Sequence, residues 1–204
     1  MESDNETLVK DIQNSFLNLL NDHLPKNVLE KAKDRNIVKV MSICCGRFRE
    51  AKSIFDYFSD YKDSIKVYGI EIDKNLLDLA KNERIIKENE KSVCLKLGDA
   101  SSIESYKDWL EDGLFDLVIV RHPEITFNTD VFVKIFSLSY KNLLAKNSYL
   151  IITTHFENEK ETLKLLLKAL KLNVLVDIEN DLAPCIKEEE KNSYADRFLL
   201  IASL

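Results

Sequence analysis

Between Val38 and Asp73 two apolar runs are separated by one turn and one helical segment. The first run, VKVMSIC, leads into a turn that holds Gly46, and the second, VYGIEID, carries Glu71, 25 residues after that glycine. A parallel α/β sheet uses this order of elements to hold a nucleoside. The backbone can approach the ligand at the first turn, and the acidic side chain can bind the ribose hydroxyls. The pattern therefore predicts a strand, a ligand-binding turn, a helix and a second, parallel strand.

Length and composition indicate a single soluble domain. The 204 residues are sufficient for one α/β domain with a full core. We expect an N-terminal helical segment at residues 1–36 and the α/β core at residues 37–204. The composition, 45% hydrophobic and 31% charged, is typical of a globular protein. The net charge of −6 disfavours nucleic acid as a partner, since binding to its backbone requires a basic face.

The sequence predicts neither a signal peptide nor a membrane-spanning segment. The amino terminus, MESDNETLVK, is acidic and polar, and no run of about 18 apolar residues occurs. The four cysteines have no CxxC spacing, which disfavours a zinc site and suits a reducing compartment. We therefore expect a cytoplasmic protein that does not bind a membrane.

Strand and helix patterns alternate along the chain. Leu8, Ile12 and Phe16 recur at helical spacing and predict an N-terminal helix that ends near Asp22. Strands are predicted at 37–44, 65–71, 93–97, 115–120, 148–153, 173–178 and 197–202, and further helices at 48–58, 75–88, 101–112, 131–144 and 159–172. The last two strands are joined by a long polar segment, 179–196, with no helical period, so they should be antiparallel. We predict an α/β fold, a doubly wound, seven-stranded, mostly parallel sheet with an antiparallel last strand and helices on both faces.

From Ile37 to Leu204 the chain resembles the class I S-adenosylmethionine-dependent methyltransferases. Four stretches carry the resemblance, in the order and spacing of that family: KVMSICCGRFRE, VYGIEID, LGDASS and FDLVIV followed by RHPE. The resemblance implies S-adenosyl-L-methionine as cofactor. It assigns cofactor contacts to Ser42, Cys44, Gly46, Glu71, Ile72, Asp99 and Ala100, with Glu71 on the ribose and the Asp99–Ala100 pair on the adenine.

The first turn departs from the pattern of the family. Ser42 stands where the family has an acidic residue, and Cys44 and Phe48 stand where it has the outer glycines of a G-x-G-x-G turn. Cys44 is small, and we expect Phe48 one step into the helix with its ring turned to the core, so that the turn can still close. Dinucleotide oxidoreductases fit less well, because their G-x-G-x-x-G turn needs close backbone approach to a pyrophosphate, which CCGRFR does not offer.

Methyl transfer depends mainly on positioning, with a base where the nucleophile arrives protonated. Arg121 and His122 follow the fourth predicted strand and are the candidate catalytic pair, with His122 as base and Arg121 as a fork for a substrate carboxylate or phosphate. The alternative is structural: Arg121 pairs with Glu124 on the surface and His122 caps the strand. His155, after the fifth strand, is a weaker candidate. Metal-dependent members of the resembled family place a carboxylate where Arg121 stands, so we expect no catalytic metal.

Two arginines remain open to two interpretations. Arg47 and Arg49 lie where a helix begins, and positive charge there opposes the helix dipole, which suggests a neighbouring anionic group. The simpler interpretation is a pair of solvated side chains beside Glu50 and Asp56.

The acceptor has no cap domain to recognise it. We expect recognition by the N-terminal helix, the loop after Val120 and the segment Pro184–Asp196, which contain no basic stripe. The sequence therefore favours a small-molecule acceptor. The alternative function is a non-catalytic, methyltransferase-like binding or interaction protein, suggested by the altered first turn.

Overall fold

The computed structural model describes residues 2–34, 36–188 and 191–203. Within these ranges the helices are α1 Glu2–His23, α2 Asn27–Lys33, α3 Glu50–Tyr57, α4 Lys74–Asn82, α5 Arg84–Glu88, α6 Lys107–Leu110, α7 Thr129–Leu138 and α8 Glu157–Ala169. The strands are β1 Val38–Ile43, β2 Ile65–Glu71, β3 Val93–Leu97, β4 Phe115–Arg121, β5 Leu144–Thr154, β6 Asn173–Glu179, β7 Cys185–Glu188, β8 Lys191–Tyr194 and β9 Phe198–Ser203.

Seven strands form one sheet in the order β3-β2-β1-β4-β5-β9-β6. The pairs from β3 to β5 are parallel, whereas β9 runs antiparallel to both β5 and β6. The strand order reverses between β1 and β4, where Ser42 lies opposite Ile119. The predicted mostly parallel sheet with an antiparallel last strand is confirmed. Such a reversal opens a crevice at the carboxyl ends of the strands, where α/β proteins bind their ligands.

Helices cover both faces of the sheet. One apolar cluster joins α1, α2 and α3 to the sheet through residues such as Phe16, Val28 and Phe55, and a second joins α7 and α8 through Phe136 and Leu163. Every residue of β1 is buried, as expected for a strand covered on both faces. No helix in the described ranges is long and apolar enough to cross a membrane.

Several predicted boundaries are wrong. The first crossover helix begins at Glu50 and not at residue 48. The helix predicted at 75–88 is interrupted at Glu83, which is extended, with ψ of 138°. The helix predicted at 101–112 is reduced to a 3-10 turn followed by α6. The helix predicted at 131–144 ends in a π-helical turn, Ser139–Leu143. The strand β5 follows directly at Leu144, four residues before the predicted start at residue 148.

The segment predicted as a long polar connection, 179–196, contains a small hairpin. Its strands, β7 and β8, pair antiparallel as a separate two-stranded sheet. The backbone of Ala195 donates a hydrogen bond to the carbonyl of Pro184 at 2.9 Å and closes the base of the hairpin. This places the residues between the hairpin and β9 at the carboxyl edge of the sheet.

Candidate functional site

Three residues of the turn after β1 have left-handed backbone. Cys44, Gly46 and Phe48 have φ of 54°, 53° and 55°. These are the three positions at which the resembled family carries glycine, so the backbone shape of the turn is retained although two of the glycines are replaced. The left-handed conformation costs a non-glycine residue about 1–2 kcal/mol.

Burial of the Phe48 ring offsets this strain. The ring is fully buried, as expected, although Phe48 precedes α3 and does not lie within it. Gly69 on β2 makes room for it, because a Cβ there would lie 3.2 Å from the ring and 2.7 Å from Leu95. Removing a phenylalanine side chain from water contributes about 1.5–3 kcal/mol, comparable with the strain. The turn is therefore held by core packing in place of glycine flexibility.

Glu71 joins the end of β2 to this turn. Its Oε2 accepts a hydrogen bond from the backbone of Gly46 at 2.7 Å, and its Oε1 accepts from Ile72 at 2.8 Å and from Asp73 at 2.9 Å. The carboxylate is buried and both of its oxygens bond to the protein. A ribose diol could bind here only by sharing or replacing some of these bonds.

The other residues assigned to the cofactor lie along the same edge. Ile72 is 71% exposed after β2. Asp99, after β3, is exposed and accepts two hydrogen bonds from Ser101, both at 2.8 Å. Ala100 is buried, and its carbonyl accepts from the Tyr106 hydroxyl at 2.9 Å. None of these three residues lines the cavity described next.

A cavity of about 320 Å³ lies beside the turn. Its lining comes from α1, the turn after β1, the start of α3, the ends of β4 and β5 and the hairpin: Val9, Ile12, Cys44, Cys45, Arg47, Arg49, Glu50, Arg121, His122, His155, Ile186 and Ala195. These include all three segments expected to recognise the acceptor. Of the sequence-predicted site residues, Cys44, Arg121, His122 and the weaker candidate His155 line the cavity together.

A buried ionic network forms the floor of the cavity. Arg121 donates from Nε to Oδ1 of Asp196 at 3.0 Å and from Nη2 to Oδ2, and its Nη1 lies 3.7 Å from Oε2 of Glu50. Thr153 donates its hydroxyl to Oδ1 of Asp196 at 2.5 Å. The guanidinium also stacks 4.5 Å above the ring of Phe16 from α1. The guanidinium of Arg121 therefore binds Asp196, a buried carboxylate of the protein itself. Its partner is not Glu124, as in the surface-pair interpretation, and the guanidinium is not open to a substrate carboxylate or phosphate.

The two carboxylates of this network differ in their pKa values. Burial raises the pKa of Glu50, and Arg121 offsets this only in part. Burial also acts to raise the pKa of Asp196, but Arg121 and His122 more than offset it and hold that pKa well below its usual range. Asp196 is therefore the permanent counter-ion of Arg121.

Ser42 donates its hydroxyl to Oε1 of Glu50. The acidic residue that the resembled family carries at the position of Ser42 is missing from β1, but a carboxylate from the first turn of α3 lies next to the serine and lines the cavity. The sequence interpretation missed Glu50, because an acidic residue at the start of a helix is explained by the helix dipole alone.

Two histidine rings form one wall of the cavity. His122 and His155 stack with ring centroids 3.8 Å apart and an angle of 23° between the rings. Nε2 of His122 lies 3.0 Å from the backbone nitrogen of Asp196 and 3.0 Å from Oδ1 of the same residue. It therefore bonds to Asp196 in either tautomer, accepting from the backbone N–H when unprotonated and donating to the carboxylate when protonated. Burial lowers the pKa of His122, in agreement with a neutral ring, although Asp196 acts in the opposite direction.

His155 is bonded through its other ring nitrogen, Nδ1. Its Nδ1 lies 2.9 Å from the carbonyl of Tyr194, and because a carbonyl only accepts, Nδ1 carries the proton. A neutral His155 then has an unprotonated Nε2, which bonds to no residue in the described ranges. The geometry makes His155 a better proton acceptor than His122, whose Nε2 already bonds to Asp196.

The strand order 3-2-1-4-5-7-6, counted over the seven strands of the main sheet, and the position of the turn define the class I S-adenosylmethionine-dependent methyltransferase fold. Among solved structures, the chain is similar to precorrin-6y C5,15-methyltransferase from Geobacter metallireducens, with TM-score 0.57, 12% identity and coverage of 86% of this chain and 84% of that one. It is also similar to a TehB-like S-adenosylmethionine-dependent methyltransferase from Corynebacterium glutamicum, with TM-score 0.52, 16% identity and coverage of 96% and 97%.

A third similar structure is the [4+2]-cyclase SpnF, with TM-score 0.55, 15% identity and coverage of 76% of this chain and 58% of that one. Comparisons with protein-family profiles and with curated protein sequences find no match. At such low identities the likeness establishes the fold, and the chemistry has to be argued from the site.

Proposed function

We propose that this chain transfers a methyl group from S-adenosyl-L-methionine to a small-molecule acceptor, without a catalytic metal. The observation that carries the proposal is the left-handed backbone at 44, 46 and 48, which keeps the shape of a cofactor turn without two of its glycines. Space for a ligand lies over that turn, because a Cβ built on Gly46 meets no atom within 4 Å. The precorrin and TehB-like structures of the same fold are named as methyltransferases, which supports the reaction class.

The cofactor would be held by Gly46, Glu71, Asp99 and Ala100, and would supply a methyl group on a sulfonium. The acceptor would occupy the adjoining cavity, whose volume of about 320 Å³ suits a small molecule. Val9 and Ile12 from α1 help to exclude water from it. The cationic Arg121, in the place of a metal-binding carboxylate, supports transfer without a metal.

His155 is the group that we assign to proton removal from the acceptor. Its Nε2 is unprotonated when the ring is neutral, whereas Nε2 of His122 is already bonded to Asp196. His122 then positions His155 by stacking. Arg121 fixes Asp196 and through it the orientation of His122.

The histidine assignment predicts a tautomer that nitrogen NMR detects. The neutral ring of His155 should carry its proton on Nδ1, because Nδ1 lies 2.9 Å from the carbonyl of Tyr194, which only accepts. Long-range ¹H–¹⁵N correlation spectra measure this, with His23, far from the cavity, as control. A proton on Nε2 of His155 would remove it as the base.

A second candidate function is a binding protein without transferase activity. This alternative is favoured by the hydrogen bonds of Glu71. Its carboxylate oxygens already accept three backbone hydrogen bonds that a ribose would have to share or replace. The fold alone does not imply methyl transfer, since SpnF, a protein of this fold, is named as a [4+2]-cyclase. Calorimetry with S-adenosylmethionine and S-adenosylhomocysteine discriminates the two. Micromolar binding of both supports the transferase, and no binding at millimolar ligand supports the alternative.

Substitution of Glu71 by alanine should weaken S-adenosylhomocysteine binding by roughly 2–4 kcal/mol, since two charge-assisted hydrogen bonds to the ribose would be lost. Glu71→Asp keeps the charge with a shorter reach and should weaken binding less. Calorimetry measures both, with Glu88→Ala as control because Glu88 is an exposed partner of Arg84. An unchanged dissociation constant in Glu71→Ala would exclude Glu71 from the cofactor site.

A further inference from the structure

Arg49 lacks the carboxylate partner that the other described arginines have. The four remaining arginines in the described ranges each form an ion pair: Arg47 with Glu83, Arg84 with Glu88, Arg121 with Asp196 and Arg197 with Glu179. The guanidinium of Arg49 makes no ion pair and donates no hydrogen bond to a residue in these ranges.

The position of Arg49 is fixed by α1. Its carbonyl accepts a hydrogen bond from Nε2 of Gln13 at 3.1 Å, and Ser53 in α3 donates to the carbonyl of Gln13 at 2.7 Å. The side chain is partly buried and lines the 320 Å³ cavity together with Arg47. Both arginines also line an adjoining cavity of about 530 Å³, so they lie at the junction of the two.

The smaller of the two cavities has more cationic than anionic side chains in its lining, whereas the adjoining cavity is lined by Lys10, Arg47 and Arg49 and by the carboxylates Glu6 and Glu83. The 320 Å³ cavity is lined by three arginines, Arg47, Arg49 and Arg121, and by one carboxylate, Glu50. The whole chain has a net charge of −6, so this concentration of positive charge is local. Burial, together with the nearby Arg47, lowers the pKa of Arg49, so an anion beside it would relieve an unfavourable charge.

We propose that Arg49, assisted by Arg47, binds an anionic group, a carboxylate or a phosphate, of the small molecule that occupies the cavity. The planar guanidinium matches either group with two parallel hydrogen bonds. This extends the proposed function and rests on it for the source of the anion. One source is the amino-acid carboxylate of the cofactor, and the other is an acidic acceptor. The sequence also suggested that both arginines are simply solvated, but this does not explain why Arg47 pairs with Glu83 while Arg49 has no carboxylate partner among the described residues.

The first experiment compares S-adenosylhomocysteine with 5′-methylthioadenosine, which lacks the amino-acid group. Calorimetry is done on the full chain and on Arg49→Gln, Arg49→Lys and the control Arg84→Gln. If the anion is the cofactor carboxylate, Arg49→Gln should weaken S-adenosylhomocysteine about tenfold or more and leave 5′-methylthioadenosine unchanged, because one charged, bidentate contact is lost. Arg49→Lys should retain part of the affinity, and Arg84→Gln all of it.

The second experiment uses inorganic phosphate and follows arginine Nε–Hε signals by NMR, with and without S-adenosylhomocysteine. If the anion belongs to the acceptor, phosphate should shift the Arg49 signal in both states, and Arg49→Gln should abolish the saturable response of neighbouring signals. If it belongs to the cofactor, phosphate should bind the free protein and be displaced by S-adenosylhomocysteine.

The anion site would be overturned if Arg49→Gln left S-adenosylhomocysteine binding unchanged and phosphate also produced no saturable response at Arg49. Because the phosphate measurement on the free protein needs no cofactor, it tests the site even if S-adenosylhomocysteine does not bind. Failure of the proposed function and failure of the anion site are therefore separate results.

Discussion

Asp196→Asn should lower the free energy of unfolding by about 3–5 kcal/mol at neutral pH, the cost of leaving a buried charge without its partner. Asp196 is fully buried and receives two hydrogen bonds from Arg121 and one from Thr153. Asparagine keeps the shape of the side chain but loses its charge. The only carboxylate left beside Arg121 among the described residues would then be Glu50, whose Oε2 lies 3.7 Å from Nη1. Urea unfolding followed by circular dichroism measures the change.

Asp56→Asn is the matched control, because Asp56 pairs with Lys52 in an exposed pair within α3. Such pairs contribute only about 0.2–1 kcal/mol. The double variant Arg121→Gln/Asp196→Asn removes both charges of the buried pair, so its loss should be smaller than the sum of the two single losses. A loss in Asp196→Asn no greater than in Asp56→Asn would show that the network does not stabilise the fold.

The same pair predicts a dependence on pH. Arg121 and His122 hold the pKa of Asp196 below its usual range against the effect of burial, so the carboxylate stabilises the native state above the unfolded pKa of about 3.9. This contribution should disappear as the pH falls below that value towards the native pKa. The difference in unfolding free energy between the wild type and Asp196→Asn should therefore be constant from pH 7 to about 5 and decrease below pH 4.

The sheet could be predicted because its strands are marked locally. Runs such as FDLVIV are apolar on both faces, and the absence of a helix between the last two long strands indicated the antiparallel pair. The hairpin of β7 and β8 was missed because CIKE and KNSY are short and polar, with no alternation. The break at Glu83 was missed because the sequence around it favours a helix, whereas in the structure Glu83 is extended and pairs with the distant Arg47.

The site could be predicted only where its residues end a strand. Glu71, Arg121 and His122 follow apolar runs, and this indicated the carboxyl edge of the sheet. Asp196 is 75 residues from Arg121, in a segment without pattern, so nothing local connects the two. The sequence also could not reveal that Cys44 and Phe48 adopt left-handed backbone, since both types normally avoid it.

Gly46→Val should abolish S-adenosylmethionine binding while the sheet still folds. Gly46 has φ of 53°, and a Cβ there would project into open space over the turn, where the proposed cofactor approaches the backbone. The branched side chain would fill that space and strain the turn by about 1–2 kcal/mol, which is too little to unfold a domain of ordinary stability. Circular dichroism checks the fold, and calorimetry with S-adenosylmethionine measures the binding.

Gly113→Val is the matched control for this experiment. Gly113 also has positive φ, 99°, and a Cβ there meets no atom within 4 Å, but it precedes β4 and so lies at the opposite edge of the sheet. Both variants should lose stability through backbone strain, because valine disfavours positive φ. Only Gly46→Val should lose binding, since only its side chain enters the ligand space. A folded Gly46→Val variant that binds normally would show that the turn after β1 does not face the cofactor, and the proposed transferase function would lose its principal support.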